Sequence, residues 1–315
     1  MTIIQLQYVL AVAQCKNFST AAKKCFVTQP TLSMQILKLE EELDILIFDR
    51  TKKPIEATDI GAKIIEQAKN IVNESQRIKD IISIHKGFIG GEFRLGIIPT
   101  ITPTLLPMFL NNFIKKYPKI DLKIEELNTQ DTINYILQGE LDAAIVATPL
   151  KEDFIVEKPL FHEPFVAYIP NNHRLRNNNR SIKISDLKVE DILMLEDGHC
   201  FRNSVLNLCQ PQKKALPNET FEIRSGSFET LIKLANEGLG MTLLPYLHTL
   251  DLSDENKKNL SYFSEPSPAR EISLIYHNNE LKSNIINALH KLILEIVRGA
   301  IAFENVKIIS PLQKK

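Results

Sequence analysis

Near the start of the chain, apolar residues fall at Leu32, Ile36, Leu39 and Leu43, at spacings of four, three and four. That spacing predicts one buried face of a helix. Thr28 is placed to cap this helix, with Pro30 in its first turn, where a missing N–H costs nothing. A shorter helix precedes it, read from Phe18-Ser19-Thr20-Ala21-Ala22 with Ser19 as N-cap and an end near Cys25-Phe26. Opposite the buried face lie Pro30, Met34 and Lys38, flanked by Thr31 and Ser33. Two short helices joined tightly, the second with a small polar outer face, form a helix-turn-helix. Gln29, Thr31 and Ser33 can reach base edges and phosphates, and the helix dipole favours the anion. After them, Phe48-Asp49-Arg50-Thr51-Lys52-Lys53-Pro54 reads as a turn between short strands with basic residues at its tip, a wing suited to phosphate contact. Helical domains also contain such helix pairs without touching nucleic acid; the wing favours the DNA reading.

A longer and narrower stripe follows. With Thr58 as cap, Ile60, Ile64, Ala68, Ile71, Ser75, Ile78 and Ile82 repeat at threes and fours up to Lys86. The other side is almost uniformly polar, so the pattern predicts a coiled-coil seam and a dimer in preference to a helix packed on its own domain. Gly87, Gly90 and Gly91 then break the helix and form a hinge.

From Glu92 the pattern changes to alternation of strands and helices. Strands are expected at Phe93–Ile98, Ile120–Glu126, Leu141–Val146, Phe165–Ile169, Ile192–Leu195, Met241–Leu244 and Ile272–Tyr276. Helices are expected at Thr104–Lys116, Asp131–Gln138, Phe228–Glu237 and Leu281–Arg298. This is α/β patterning with a parallel sheet, arranged as two lobes with crossovers near His162–Pro164 and Glu265–Pro268, where prolines and turns interrupt it. Two such lobes leave a cleft at their strand ends. The predicted organisation is a winged helix-turn-helix over 1–58, a linker and dimerisation helix over 59–88, a two-lobed effector domain over 89–302, and a mobile C-terminal tail over 303–315 that includes Lys307, Lys314 and Lys315.

Composition narrows this picture only slightly. The chain has 315 residues and as many basic as acidic ones, 38 of each. A basic footprint on DNA must therefore be local. No apolar run reaches membrane-spanning length and no secretory leader is visible, which predicts a cytoplasmic protein with no membrane partner. Thiols there stay reduced, so a structural disulfide framework is not expected.

Two of the four cysteines, Cys200 and Cys209, lie in "LEDGHCFRNSVLNLC". They could be incidental buried residues, half a metal site, an enzyme's nucleophile, or a redox switch. The long gap and the absence of a second pair nearby argue against a metal. His199 and Arg202 flank Cys200 and could stabilise its thiolate, the species that attacks peroxide. Phe201 to Leu208 lack Gly and Pro and could form a short helix. Nine residues of helix would hold the two Cα atoms about 13.5 Å apart at ~1.5 Å per residue. A disulfide needs roughly 4.4–6.8 Å, so forming it must remodel the segment. Closing a loop of about ten residues carries roughly 2–3 kcal/mol on the chain-entropy model, comparable to typical allosteric couplings. Cys15 and Cys25 read as structural residues of the first domain, and His173 as a surface residue.

"FSTAAKKCFVTQPTLSMQILKLEEELDILIFDRTKKPIEATDIG" resembles the N-terminal winged helix of LysR-type transcriptional regulators. "LMLEDGHCFRNSVLNLC", "GIIPTITPTLLP" and "GMTLLP" resemble the peroxide-sensing OxyR subfamily, and the similarity runs from Leu6 to about Ile293. The resemblance implies an effector domain like a periplasmic binding protein. It makes Cys200 the peroxidatic cysteine and Cys209 the resolving one, with Thr100, Thr129, His199 and Arg270 lining a peroxide pocket and Arg202 supporting the thiolate. For DNA it implies contacts from Thr28, Gln29, Pro30, Thr31, Ser33, Met34, Lys38, Arg50, Lys52 and Lys53. The implied partners are promoter DNA, a second copy through the linker helix, a homotetramer, RNA polymerase, hydrogen peroxide as signal and a cellular dithiol reductant. No metal or cofactor is implied. Asn203 stands where members commonly have an acidic residue, and Ala269 where a second arginine is common. The expected protein is therefore a redox-controlled activator of oxidative-stress genes and not an enzyme. Behind it stand a regulator that binds a small organic effector in the cleft and, further back, a thiol peroxidase, in which the winged helix and coiled coil would have no role.

Overall fold

The structure is a computed structural model and describes residues 1–85, 90–176, 181–209, 225–301 and 305–312. The chain divides into two compact units, the first ending with the long helix and the second beginning with the first strand of the α/β region.

The first unit contains α1 (Ile3–Cys15), α2 (Phe18–Lys24), α3 (Gln29–Leu43), β1 (Phe48–Asp49), β2 (Glu56–Ala57) and α4 (Asp59–His85). Leu6, Val9, Val12, Ala21, Leu32, Ile36, Leu39 and Ile47 form its core. Thr28 caps α3 as expected, its hydroxyl accepting from the Thr31 N–H. The cap of α2 is Asn17 and not Ser19: the Asn17 carboxamide accepts from the Thr20 N–H at 2.9 Å. Asn caps at least as well as Ser, and starting two residues earlier brings Phe18 into the core. β1 and β2 pair antiparallel and form the wing. Gly61, in the first turn of α4, permits a close approach, since a Cβ there would lie 2.0 Å from the Ile47 carbonyl oxygen.

The seam of α4 is split. Ala68 is buried, and Ile64 and Ile71 pack on the core of the first unit itself. Ile60 and Ile78 remain exposed, as does Ile81. Half of the stripe read as a coiled-coil face is therefore an intradomain face, because α1 lies alongside this stretch of helix. The Ile82 side chain, Lys86 and Gly87 lie outside the described residues. Gly91 opens the next strand with a φ of 100°, the left-handed region that glycine tolerates.

The second unit begins with β3 (Gly91–Ile97), α5 (Thr102–Lys116), β4 (Ile120–Glu126), α6 (Thr129–Leu137), β5 (Ala143–Thr148) and β6 (Ile155–Tyr168). It continues with β7 (Ser181–Ile182), β8 (Ile192–Leu193), α7 (Cys200–Leu208), α8 (Phe228–Asn236), β9 (Met241–Pro245), α9 (Tyr246–Leu250) and α10 (Asp254–Lys257). Last come β10 (Leu260–Phe263), β11 (Ser267–His277), α11 (Ser283–Val297) and β12 (Val306–Ile308). β3 pairs parallel with β4 and β5, and β11 joins β5 antiparallel. In the other lobe β6 pairs antiparallel with β9 and β10, while β8 and β7 add parallel edges. The sheets are thus mixed and not parallel. The change occurs because β6 and β11 run antiparallel to each other along the passage between the lobes, and β6 continues as a strand of the second lobe's sheet.

At the positions read as crossovers the chain does not break. β6 runs through His162–Pro164 and pairs with β11 from Ile155↔His277 to Pro164↔Ala269, with one irregularity beside Ile272. Backbone pairing spans the inter-lobe passage, and Pro164 is tolerated within it. One core gathers Leu95, Ile97, Phe109, Ile145, Leu274 and Leu289. The other gathers Val166, Tyr168, Leu231, Met241 and Leu244.

The mobile tail is a further correction. Val306–Ile308 pairs parallel with Ser267–Ala269, and Ile309 is buried in the second core. Despite Lys307, the run Val306, Ile308 and Ile309 has enough β-branched apolar character to form a strand end, and Ile309 carries it into the core. Lys314 and Lys315 lie outside the described residues. His173 is likewise no surface residue: its side chain is 9% exposed, its Nδ1 accepts from the Leu175 N–H, and burial lowers its pKa.

Candidate functional site

Cys200 is the first residue of α7 and Cys209 closes it, and both are free and buried. The segment between them is helical, with Phe201, Val205 and Leu208 on its buried face. The two thiols sit in different surroundings. Cys200 packs with the first core, among residues such as Ile98 and Ile101, and Cys209 with the second. Burial pushes the Cys209 thiol up to about 11, so it stays protonated at neutral pH.

Arg270 is the centre of the polar arrangement. Only 1% exposed, it donates through Nε and Nη2 to Glu163 Oε2 at 3.0 and 2.8 Å. It donates through Nη1 to the Thr100 hydroxyl at 2.9 Å and through Nη2 to the Thr100 carbonyl at 3.3 Å. Its guanidinium lies over the Phe201 ring, 5.0 Å from the centroid. Arg270 therefore links the loop after β3 to the first turn of α7, next to Cys200. Glu163 also accepts from the Leu247 N–H at 3.0 Å, which satisfies a buried carboxylate.

Thr129 begins α6, just past β4. Ile97 of β3 pairs with Glu126 of β4, so Thr100 and Thr129 each stand three residues beyond paired strand ends. Ligands bind at such ends in α/β sheets. The Thr129 hydroxyl is buried with no hydrogen-bond partner. Such a group costs about 1–3 kcal/mol unless something completes it, and a small donor–acceptor molecule would do so.

His199 precedes the helix, mostly buried, with Nε2 3.9 Å from Glu196 Oε1. Gly226 makes room for both, since a Cβ there would approach them to 3.4 and 3.2 Å. Gly198 takes a φ of 96°, as the sharp turn before the helix requires. Arg202 is engaged on its own loop: its Nε pairs with Asp197 at 2.9 Å and its Nη1 donates to the Leu195 carbonyl at 3.1 Å. Asn203 is half-buried on the same helix, and Ala269 is buried beside Arg270.

The structure thus joins Thr100 and Arg270, and through Phe201 the start of α7 with His199 and Cys200. It adds Glu163 and Phe201, which sequence reasoning missed. A lone carboxylate in the apolar strand "FHEPFVAY" was a usable signal, because a charge there must have a partner. Among the described residues no group of acids, histidines and cysteines could hold a metal ion, and no helix is long and apolar enough to cross a membrane.

On the first unit, Gln29, Pro30, Thr31, Met34 and Lys38 are exposed along the outer face of α3, and Ser33 is half-buried. The hydroxyls of Thr28 and Thr31 bond each other at 2.8 Å. At the wing, Lys53 is exposed, and Lys52 pairs with Glu56 at 2.5 Å, which raises its pKa and keeps it cationic. Arg50 is not a free wing cation. It pairs with the buried Glu40 at 2.6 Å and stacks over Phe18, while Glu40 also accepts the N–H groups of Ile47 and Phe48. Its first role is to fasten the wing to α3.

Residues 3–62 match the family model described as bacterial regulatory helix-turn-helix protein, lysR family, and residues 86–298 that of the LysR substrate binding domain. A hydrogen peroxide-inducible genes activator from Pectobacterium carotovorum is 35% identical over 88% of this chain and 90% of its own length. The DNA-binding transcriptional dual regulator OxyR of Escherichia coli is 34% identical over 88% of this chain and 89% of its own. Among solved structures, a full-length OxyR from Pseudomonas aeruginosa with a cysteine-to-aspartate change superposes with a TM-score of 0.75 at 32% identity, covering 93% of this chain and 98% of that one. A hydrogen peroxide-bound OxyR mutant from Corynebacterium glutamicum gives 0.61 at 26% identity, covering 96% and 94%.

Proposed function

This chain belongs to the LysR family of transcriptional regulators, in its OxyR branch of peroxide sensors, and from that premise we propose how its residues sense and signal. The family is one of DNA-binding regulators and not an enzyme class. Hydrogen peroxide binds between the hydroxyls of Thr100 and Thr129, and His199 and Arg270 border the same space. The Cys200 thiolate attacks one peroxide oxygen. The O–O bond breaks, Cys200 becomes a sulfenic acid, and the departing hydroxide takes a proton to leave as water. Cys209 then attacks the Cys200 sulfur, a disulfide forms, and the sulfenic hydroxyl leaves with the Cys209 proton as a second water. A cellular dithiol returns both thiols to the reduced state.

The observation that carries this reading is that the two thiols close opposite ends of one helix and pack in different cores. At about 13.5 Å apart along an intact helix, they must unwind it to reach the roughly 4.4–6.8 Å that a disulfide needs. Oxidation is thereby converted into a change of shape. That change alters how effector domains of neighbouring copies pack, and so which promoter half-sites a dimer-based tetramer bridges and presents to RNA polymerase. The exposed Ile78 and Ile81 support pairing through α4. Gln29, Thr31, Ser33, Pro30, Met34 and Lys38 read bases, with Thr28, Arg50, Lys52 and Lys53 nearest the phosphates. The protein acts in the cytoplasm, beside the DNA and reductant it needs.

Mass spectrometry before and after stoichiometric peroxide tests the chemistry. The intact chain should gain one Cys200–Cys209 disulfide, and Cys200→Ser should gain none. A Cys200→Ser protein that still oxidises in this way and still activates transcription overturns the assignment. Footprinting of reduced and oxidised protein on one promoter tests the readout, which fails if the protected half-sites stay the same after confirmed oxidation.

A further inference from the structure

Residues 303–315 were expected to be a mobile tail, yet residues 305–312 touch both parts of the redox site. β12 lies parallel to β11 at Ser267–Ala269, immediately before Arg270. The Asn305 carbonyl accepts from the Ser267 N–H at 3.1 Å, and the Ile309 N–H donates to the Ala269 carbonyl at 2.7 Å. Ile309 then enters the core that holds Phe201, Val205, Leu208 and Cys209. The chain next passes α7, where the Asn207 amide donates to the Ser310 carbonyl at 2.9 Å and to the Leu312 carbonyl at 2.6 Å. An asparagine amide has two hydrogens, and both carbonyls are served by this one group. The strap lies beyond residue 298, where the residues matching the family model end.

Asn207 occupies the last turn of α7, two residues before Cys209. That turn must unwind for Cys209 to travel from about 13.5 Å to disulfide distance from Cys200. Neither hydrogen bond to the strap can survive that movement unless the strap moves too, and the strap is pinned by β11 and by Ile309.

We propose that Asn207 is a positioning residue for disulfide formation: held by residues 305–312, it keeps Cys209 away from oxidised Cys200 and so sets how much peroxide the sensor requires. The inference rests on the Cys200–Cys209 switch proposed above. The strap acts after the thiolate has attacked peroxide, on the condensation that joins the two sulfurs and releases water. It also stabilises the reduced form relative to the disulfide, which makes the couple more oxidising.

The test uses the full chain, stoichiometric hydrogen peroxide, and a time course by mass spectrometry with a sulfenic-acid trap. Asn207→Ala should leave the rate of sulfenic acid formation unchanged. It should speed conversion to the disulfide on the order of tenfold, the effect of losing two hydrogen bonds that oppose the step. The midpoint potential of the pair should become more reducing, a change that loss of general stability does not produce. Ile309→Ala, which loosens the strap without touching α7's hydrogen bonds, should act in the same direction, and the double variant should add little to either. An unchanged or slower conversion in Asn207→Ala, with the unaltered chain forming its disulfide normally, overturns the inference. Failure of the unaltered chain to form the disulfide overturns the switch itself.

Discussion

The winged head and the redox site handle polar groups in opposite ways. The head places Gln29, Thr31, Lys38 and Lys53 in solvent on a scaffold whose core residues lie close together in the chain. The redox site buries Arg270, Glu163, Thr100 and both cysteines, and brings together residues as much as 170 positions apart. An exposed cation can approach a phosphate without a desolvation penalty beforehand, and its strength depends on salt. A buried charge must be satisfied in advance, and its strength depends on the integrity of its partners. The head can therefore tolerate substitutions that weaken DNA binding without unfolding it. In the redox site, the pocket proposed above draws recognition and stability from largely the same contacts.

The largest expected effect tests that last statement. Arg270→Met leaves Glu163 buried without its cation and should destabilise the effector unit by about 3–5 kcal/mol, while adding Glu163→Leu should recover most of the loss. Lys53→Ala in the head should stay within about 0.5 kcal/mol. Denaturant unfolding of each variant measures both. A mild loss from Arg270→Met alone would erase the contrast.

The next effect comes from Cys209. Burial raises its thiol pKa from 9.0 to about 11, so between those values the folded protein keeps a proton that the unfolded chain releases. Stability should thus be full below pH 9 and fall as pH rises through 11, by about 2–3 kcal/mol in all. Cys209→Ala should remove that decline. Unfolding of the reduced protein across this range checks it, and an identical pH slope in the variant contradicts it.

Thr129 sharpens the comparison from the other side, because here recognition and stability should separate. Thr129→Val removes a buried hydroxyl that has no partner, so stability should hold or rise by up to about 1 kcal/mol. Peroxide oxidation of Cys200 should slow on the order of tenfold, as loss of one transition-state hydrogen bond implies. Stopped-flow oxidation and thermal unfolding together make the test; an unchanged rate removes Thr129 from the pocket.

The smallest effect is in the head. Lys53→Ala should reduce the salt slope of DNA binding by about one, equally on all sequences. Lys52→Ala should reduce it less, because Glu56 already offsets that charge. A binding titration across salt concentrations, on two unrelated duplexes, separates the two lysines.

These two regions were not equally legible in the sequence. The period of Leu32, Ile36 and Leu39 was enough to place α3, and Thr28 its cap, because the signals are local. β4 was read residue for residue from the alternation over Ile120–Glu126. Cys200 and Cys209 stood out by rarity and spacing. The Glu163–Arg270 pair did not, because its members are 107 positions apart and no local pattern announces an ion pair. The partners of Arg202 were hidden for a related reason: adjacency to Cys200 along the chain says nothing about which way a guanidinium turns, and Asp197 and the Leu195 carbonyl both bond it. The strap was passed over because the lysines of the tail drew the reading, although Val306, Ile308 and Ile309 offered an apolar signal.

The buried pair also restricts how such a sensor can drift. Residue 163 and residue 270 are separate letters in the gene, yet physically they form one unit. Changing either alone leaves a stranded charge, at about 3–5 kcal/mol, against the 5–15 kcal/mol that typically holds a domain together. Paths that alter one position first therefore pass through a poorly folded intermediate. Neutral wandering at these two sites is closed off, and a lineage that re-tunes its response to peroxide must do so at other positions.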